Sequence, residues 1–301
     1  MDQFKNKKNE NIYLDLKKQI DSIAKHNRQG SFKTKQRYYE GTLGFAKYVA
    51  NEFQLRKFAN TQDKHLESYI NYMQEKGLSA STIKTNLSAV RFFFDKTNHK
   101  YELSDNSKFN LERRQMTGKD RAWSNEEYNT FKNQVCTKYN NQRAADIATL
   151  AKENGLRIHE AMRIRRYDAL RSLQNGELHI KGKNGRERDI KLTEASLDVL
   201  KRKLEENKSS ESDKLFVDVD QKTHLEIHKI QCFVNRHRDE FQVDSNREYN
   251  LSMHGLRHSY AQERFEYFTQ EKELSELQAK LIISEELGHS RPDVVEIYLD
   301  R

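Results

Sequence analysis

The chain has a single proline, Pro292, and only two cysteines, Cys136 and Cys232, among its 301 residues. Two cysteines far apart in sequence define no disulfide framework. No apolar run approaches the roughly 20 residues that a membrane-spanning helix requires. The stretch 1–16 mixes acids with lysines and lacks the apolar centre of a secretion signal. No internal repeat or low-complexity tract is evident. These absences lead us to expect a soluble, intracellular protein without a membrane partner.

What is present is charge, unevenly placed. Charged residues make up 33% of the chain and hydrophobic ones 35%, while 15 Phe and 14 Tyr can fill two modest cores. Residues 1–122 carry 24 Lys/Arg against 14 Asp/Glu, and the remainder carries 30 against 32, so the whole excess of +8 lies in the first part. A basic module joined to a near-neutral one suits either a polyanion-binding half or a well-solvated lysine-rich surface. Length points to two domains of ordinary size.

Periodicity makes the first part helical. Ile12, Leu16, Ile20 and Ile23 share one helical face. Ser31 can cap a second helix with Tyr38, Phe45, Tyr48 and Val49. A third runs from about Gln62 to Met73 and stops at Gly77, and a fourth starts near Ser79–Ser81. Such a bundle fits a DNA clamp or a generic helical domain. Residues 103–121 are polar, basic and aperiodic. Ser124 with Glu127 forms a capping box that opens a new domain. The expected layout is a helical domain at 1–110, a linker at 111–122 and a second domain at 123–301. Within the second, Asn175-Gly176 and Asn184-Gly185 signal turns. The alternation of Leu178/Ile180 and Ile190/Leu192 beside them predicts a small antiparallel sheet with Lys183 at its tip. Helices resume at about Thr193. The fold class is therefore mainly α, with a small antiparallel β-sheet in the second domain.

Several groups there could carry chemistry. Arg157 follows a Gly155-Leu156 break with Glu160 three residues on, a pattern equally suited to a surface ion pair. Lys183 sits in a turn, where lysines are usually solvated. His254 and Arg257 share a helical face, pairing an imidazole with a guanidinium fork that suits an anionic oxygen substrate. His254/His258 and His224/His228 also have metal-ligand spacing, but neither pair has Glu directly after its first His, as the zinc-protease helix requires. No metal or cofactor is expected. Pro292 stands where a helix should start, with Asp293 favourable to its positive end. Tyr298 follows on that helix, two turns from His289.

Taken together, Arg157, Lys183, His254-x-x-Arg257, Gly288-His289 and Tyr298 resemble, in order and spacing, the tyrosine recombinase (phage-type integrase) family. The similarity runs through 155–298, and the 77–84 segment is similar in kind to that family's core-binding domain. The segments 24–32, 254–262 and 298–301 look similar to integrases of bacterial integrative elements and genomic islands.

The resemblance implies a catalytic domain at 123–301, a DNA core-binding domain at 1–110, and a cytoplasmic bacterial enzyme acting on double-stranded DNA. It implies that Arg157 and Arg257 stabilise the phosphoryl transition state, that Tyr298 is the nucleophile and that His254 is its base. Lys183 is then the general acid, His289 a hydrogen-bond donor to the phosphate, and Glu160 an orienting group. A homotetramer on paired DNA sites and accessory DNA-bending or directionality factors are implied too. The expected role is integration and excision of a mobile element. The alternatives are a chromosome or plasmid dimer resolvase of the same chemistry, a type IB topoisomerase, or a non-catalytic DNA-binding protein on the same fold. Only three residues follow Tyr298, where many members carry a further helix that docks into the neighbouring protomer, so that exchange is not expected. The charged stretch 270–274 is read as a loop.

Overall fold

A computed structural model describes residues 3–113, 120–182, 185–206, 210–243 and 247–299. The chain divides into two compact units, Met1–Gln115 and Met116–Arg301. Among the described residues no helix is long and apolar enough to cross a membrane.

The first unit is a helical bundle: α1 (Lys7–His26), α2 (Phe32–Glu52), α3 (Asp63–Glu75) and α4 (Ala80–Phe94). Ser31 and Ser79 cap α2 and α4 by accepting from the Thr34 and Thr82 N–H groups, which have no partner inside the helix. Ile12, Leu16 and Ile20 bury the predicted face of α1. Phe45 anchors the centre, meeting Phe58 and Tyr69 edge-on at 6.3 and 5.3 Å. The aperiodic segment after α4 docks onto this unit. Arg91 Nε donates to the Ser104 carbonyl at 2.8 Å, Asp63 accepts from Ser104 and Lys108, and Phe109 is buried. Side-chain hydrogen bonds hold this stretch, and they leave no periodic signal.

The second unit begins with Trp123 in the core and the Ser124–Glu127 capping box formed in both directions, at 2.8 and 3.1 Å. Its order is α5 (Asn125–Thr137), α6 (Gln142–Asn154), α7 (Ile158–Ala161), α8 (Arg166–Asn175), β1 (Glu177–Lys181), β2 (Glu187–Lys191), α9 (Glu194–Glu206), α10 (Thr223–His237), α11 (Gly255–Glu266), α12 (Glu276–Glu286) and α13 (Glu296–Leu299). Helix α6 is buried on nearly every side, and alanines at 144, 145, 148 and 151 let neighbours approach closely. The strands pair antiparallel with Leu178 opposite Ile190 and Ile180 opposite Arg188. Asn175-Gly176 closes α8 in a left-handed cap at φ 76° instead of starting a hairpin, because the preceding residues continue a helix. The stretch 270–274 is only partly loop, since Tyr267–Glu271 extends α11 as a π-helical turn.

Two apolar clusters fill this unit. One spans Trp123 to Leu256. The other joins α11, α12 and α13 through residues such as Phe265, Ile283, Leu287 and Tyr298. The site lies where they meet.

Candidate active site

Arg157 enters the site because α6 ends at Gly155, whose φ of 62° turns the chain, and α7 starts immediately after it. Glu160 caps that start, accepting from the Arg157 backbone N–H at 3.0 Å and from Arg157 Nη1 at 3.0 Å. Arg257 comes from the first turn of α11 and is completely buried. It donates Nη1 to the Gly155 carbonyl and Nη2 to the Leu287 carbonyl at 2.5 Å. These carbonyls stand at the C-termini of α6 and α12. The partial negative charge of two helix ends therefore surrounds the guanidinium and supports its cationic form away from water. Burial lowers its pKa to about 10, countered by Tyr298 and Glu160, so Arg257 stays charged at neutral pH.

His254 stands at the N-terminal boundary of α11, and Gly255 beside it has no room for a side chain. A Cβ there would lie 2.2 Å from the Arg121 carbonyl and 2.8 Å from the Trp123 ring. Trp123 is held in turn by Ser259 and by the Ser252 carbonyl, each at 2.8 Å. The segment 121–123 thus presses directly on the His254–Arg257 turn.

His289 follows α12, and Tyr298 stands on α13 after a 3₁₀ turn, Pro292–Val295, that begins at the lone proline. The phenol of Tyr298 is 5% exposed, and its oxygen lies 3.1 Å from His289 Nε2. The same nitrogen is 3.3 Å from Arg257 Nη2 and 3.4 Å from Arg157 Nη2. A guanidinium can only donate, so this Nε2 must present its lone pair. Burial, then Arg257 and Arg157, push the His289 pKa down to about 4, which keeps that lone pair free. His254 lies at a ring-centroid distance of 5.9 Å from Tyr298 and is exposed to solvent. Desolvation first, then Arg257, Arg157 and Arg121, hold it below the usual histidine range. A cavity of about 580 Å³, lined by Arg157, His159, His228 and His254 among others, opens beside the cluster.

The structure brings together Arg157, His254, Arg257, His289 and Tyr298 from segments widely separated in sequence. Lys183 lies outside the described residues. Among the described residues no group of three or more His, Cys, Asp or Glu is arranged to hold a metal.

Two further residues line the cluster: His258, which sequence reasoning weighed only as a metal ligand beside His254, and Arg188, which it passed over. His258 is 2% exposed and packs between His254 and Tyr298, with centroids at 5.3 and 4.8 Å. Its Nδ1 has no hydrogen-bond partner among the described residues. Arg188 projects from β2 onto Glu160, with Nη2 at 2.9 Å from Oε2. Its signal was a charged residue on the inward face of a strand, two positions before the buried Ile190.

The buried His258 imidazole gives the fold a definite acid limit. Burial and then His254 push His258 down to about 3 from an ordinary 6.5, so the unfolded chain takes up this proton before the folded one does. Stability is therefore intact above about pH 6.5 and lost as pH falls toward the folded value, with His258 accounting for about 2 kcal/mol at pH 5. Urea titrations between pH 7.5 and 4.5 are expected to show this loss, and His258→Phe should flatten it. An unchanged slope in the variant would assign the loss elsewhere.

The backbone of both units aligns with solved structures of one class. The Tn1549 transposon integrase superposes with a TM-score of 0.64 at 12% identity over 95% of each chain. For lambda integrase the TM-score is 0.63 at 16% identity, covering 94% of each chain. The XerH site-specific recombinase gives 0.61 at 20% identity, covering 98% of this chain and 86% of that one. The fold is that of the tyrosine recombinases. The chain belongs to the Phage integrase family, whose profile matches residues 122–301, while the profile "Phage integrase, N-terminal" matches residues 14–101. No curated protein matched the sequence.

Proposed function

We propose that this chain is a site-specific DNA recombinase that cuts and rejoins strands through a 3′-phosphotyrosyl intermediate, serving the integration and excision of a mobile element. The carrying observation is the Tyr298 phenol within 3.1 Å of a neutral imidazole that two guanidiniums also flank. The solved structures aligned above were determined on transposon right end DNA, a COC′ core site and a difH substrate, which supports DNA as the substrate here.

The chemistry follows from the side chains. The phenol oxygen attacks the phosphorus, the bond to the 5′-oxygen breaks, and the 3′-phosphate stays on Tyr298. Negative charge grows on the non-bridging oxygens, which Arg157 and Arg257 bind in paired geometry that lysine cannot copy. A tyrosine ordinarily ionises near pH 10, so the attacking oxygen needs a proton acceptor. The hydrogen bond supports His289 as that acceptor. His254, expected from the sequence as the base, stands beside the ring and faces the cavity with Arg157. Lys183 supplies the proton to the leaving 5′-oxygen, a contribution of about 10²–10⁴-fold. The covalent link conserves the energy of the broken bond, and a 5′-hydroxyl from another strand reverses the step.

Residues 1–110 form the core-binding domain, 111–122 the linker and 123–301 the catalytic domain. Four protomers act on two duplexes. The test is a nicked suicide duplex: incubation with the protein yields a covalent adduct that survives denaturation. DNA bound without an adduct would leave only the binding reading, and relaxation of arbitrary supercoiled plasmid would point to a topoisomerase instead. Affinity of the full chain should also fall steeply with salt, each neutralised phosphate adding about 0.9 to the log–log slope. A flat response would remove the basic N-terminal half from the DNA contact.

A further inference from the structure

Glu160 is a fully buried carboxylate that faces three guanidiniums. Arg157 Nη1 lies 3.0 Å from Oε1, Arg188 reaches both oxygens at 3.2 and 2.9 Å, and Arg257 Nη1 stands 3.9 Å from Oε2. The three differ in what else they hold. Arg157 and Arg257 each direct one terminal nitrogen to His289 beside the Tyr298 phenol. Arg188 directs both terminal nitrogens to the carboxylate and its Nε to the Glu286 carbonyl at 2.9 Å. It also lies under the turn that carries His289, where a Cβ on Gly288 would come within 2.9 Å of its Nη1. Gly288 has a φ of 67°, so both its conformation and this close approach call for glycine.

We infer that Arg188 is a positioning residue for strand cleavage, binding Glu160 so that the charges of Arg157 and Arg257 remain available to the phosphate. The inference rests on the cleavage chemistry proposed above. A buried carboxylate must be compensated, and without Arg188 its remaining partners are the two arginines of the site. They are then drawn toward Glu160, and one of their two charges is cancelled where the phosphate needs both. Burial alone would raise the Glu160 pKa, but the hydrogen bond and charge of Arg188, with Arg157 behind them, hold it down to about 2. Arg188 also ties β2 to the Arg157 and His289 segments. Three pieces of the site are thereby held in one frame.

Single-turnover cleavage of the nicked suicide duplex tests this, with DNA affinity and thermal midpoint measured alongside. Arg188→Lys keeps the charge but lacks the fork, and it is expected to slow adduct formation by about 10²-fold while binding DNA normally. Arg188→Met is expected to lose more. The double variant Glu160→Gln/Arg188→Met should lose no more than Arg188→Met alone, because the two residues act as one unit. Wild-type cleavage by Arg188→Lys, or losses that multiply in the double variant, would overturn the inference. Equal falls in affinity, midpoint and rate for Arg188→Lys would also overturn it, as the mark of a merely structural ion pair. Absence of any adduct with the unaltered protein overturns the proposed chemistry itself.

Discussion

Tyr298→Phe is expected to abolish the covalent adduct with a nicked duplex while leaving DNA affinity and folding almost unchanged. The ring is 5% exposed and packs in the cluster that joins α11, α12 and α13, and phenylalanine keeps that packing. The exchange deletes one oxygen and one hydrogen bond, the 3.1 Å contact to His289 Nε2. A neutral bond of this kind contributes about 0.5–1.5 kcal/mol to stability. The chemistry has no such tolerance, because the deleted oxygen is the proposed nucleophile. Denaturing gels of protein trapped on the suicide duplex give the readout. An adduct that persists in the variant would mean that another side chain attacks the phosphorus.

The second large effect is expected at Arg257, where chemistry and folding are joined. Arg257→Lys retains a positive charge but cannot reach the Gly155 and Leu287 carbonyls together. We expect cleavage to fall by about 10²–10³-fold, as for loss of one donor to a transition-state oxyanion. A carbonyl left buried and unpaired costs about 1–3 kcal/mol, so the thermal midpoint should fall as well. Arg157→Lys is the natural comparison, since the Arg157 side chain is 21% exposed and reaches the Leu287 carbonyl only at 3.4 Å, against 2.5 Å for Arg257. It should lose rate with a much smaller loss of stability. Equal stability losses in the two variants would contradict the anchoring role of the Gly155 and Leu287 carbonyls.

The helices of the first unit were legible because their apolar residues recur at helical spacing and their caps are serines. Ser31, Ser79 and the Ser124–Glu127 pair behave as read. The small sheet was legible from its alternation and Asn175-Gly176 as a turn, but not that this turn is the left-handed cap of a helix, since a glycine that ends a helix and one that turns a hairpin look alike in sequence. The arginines, histidines and tyrosine that the structure gathers were singled out through their order and spacing, not through any property of a single residue. What spacing could not show is which imidazole meets the phenol. The sequence reading made His254 the base, whereas the hydrogen bond in the free protein is made by His289. That depends on how α12 and the 3₁₀ turn are set, which is a matter of packing. Arg188 escaped notice for a related reason, looking like an ordinary surface residue until the fold puts it against Glu160. His258 was weighed only for metal spacing until the fold packs it on Tyr298.

Arg257 latches the last carbonyls of α6 and α12, helices more than a hundred positions apart in the chain. Helix termini commonly fray one by one, but here a single planar cation closes both ends. Unwinding either end strands a positive charge away from water, so the two ends are expected to open in one cooperative event. The backbone amides next to Gly155 and Leu287 then share a common protection against solvent exchange, although no covalent path of fewer than a hundred residues joins them.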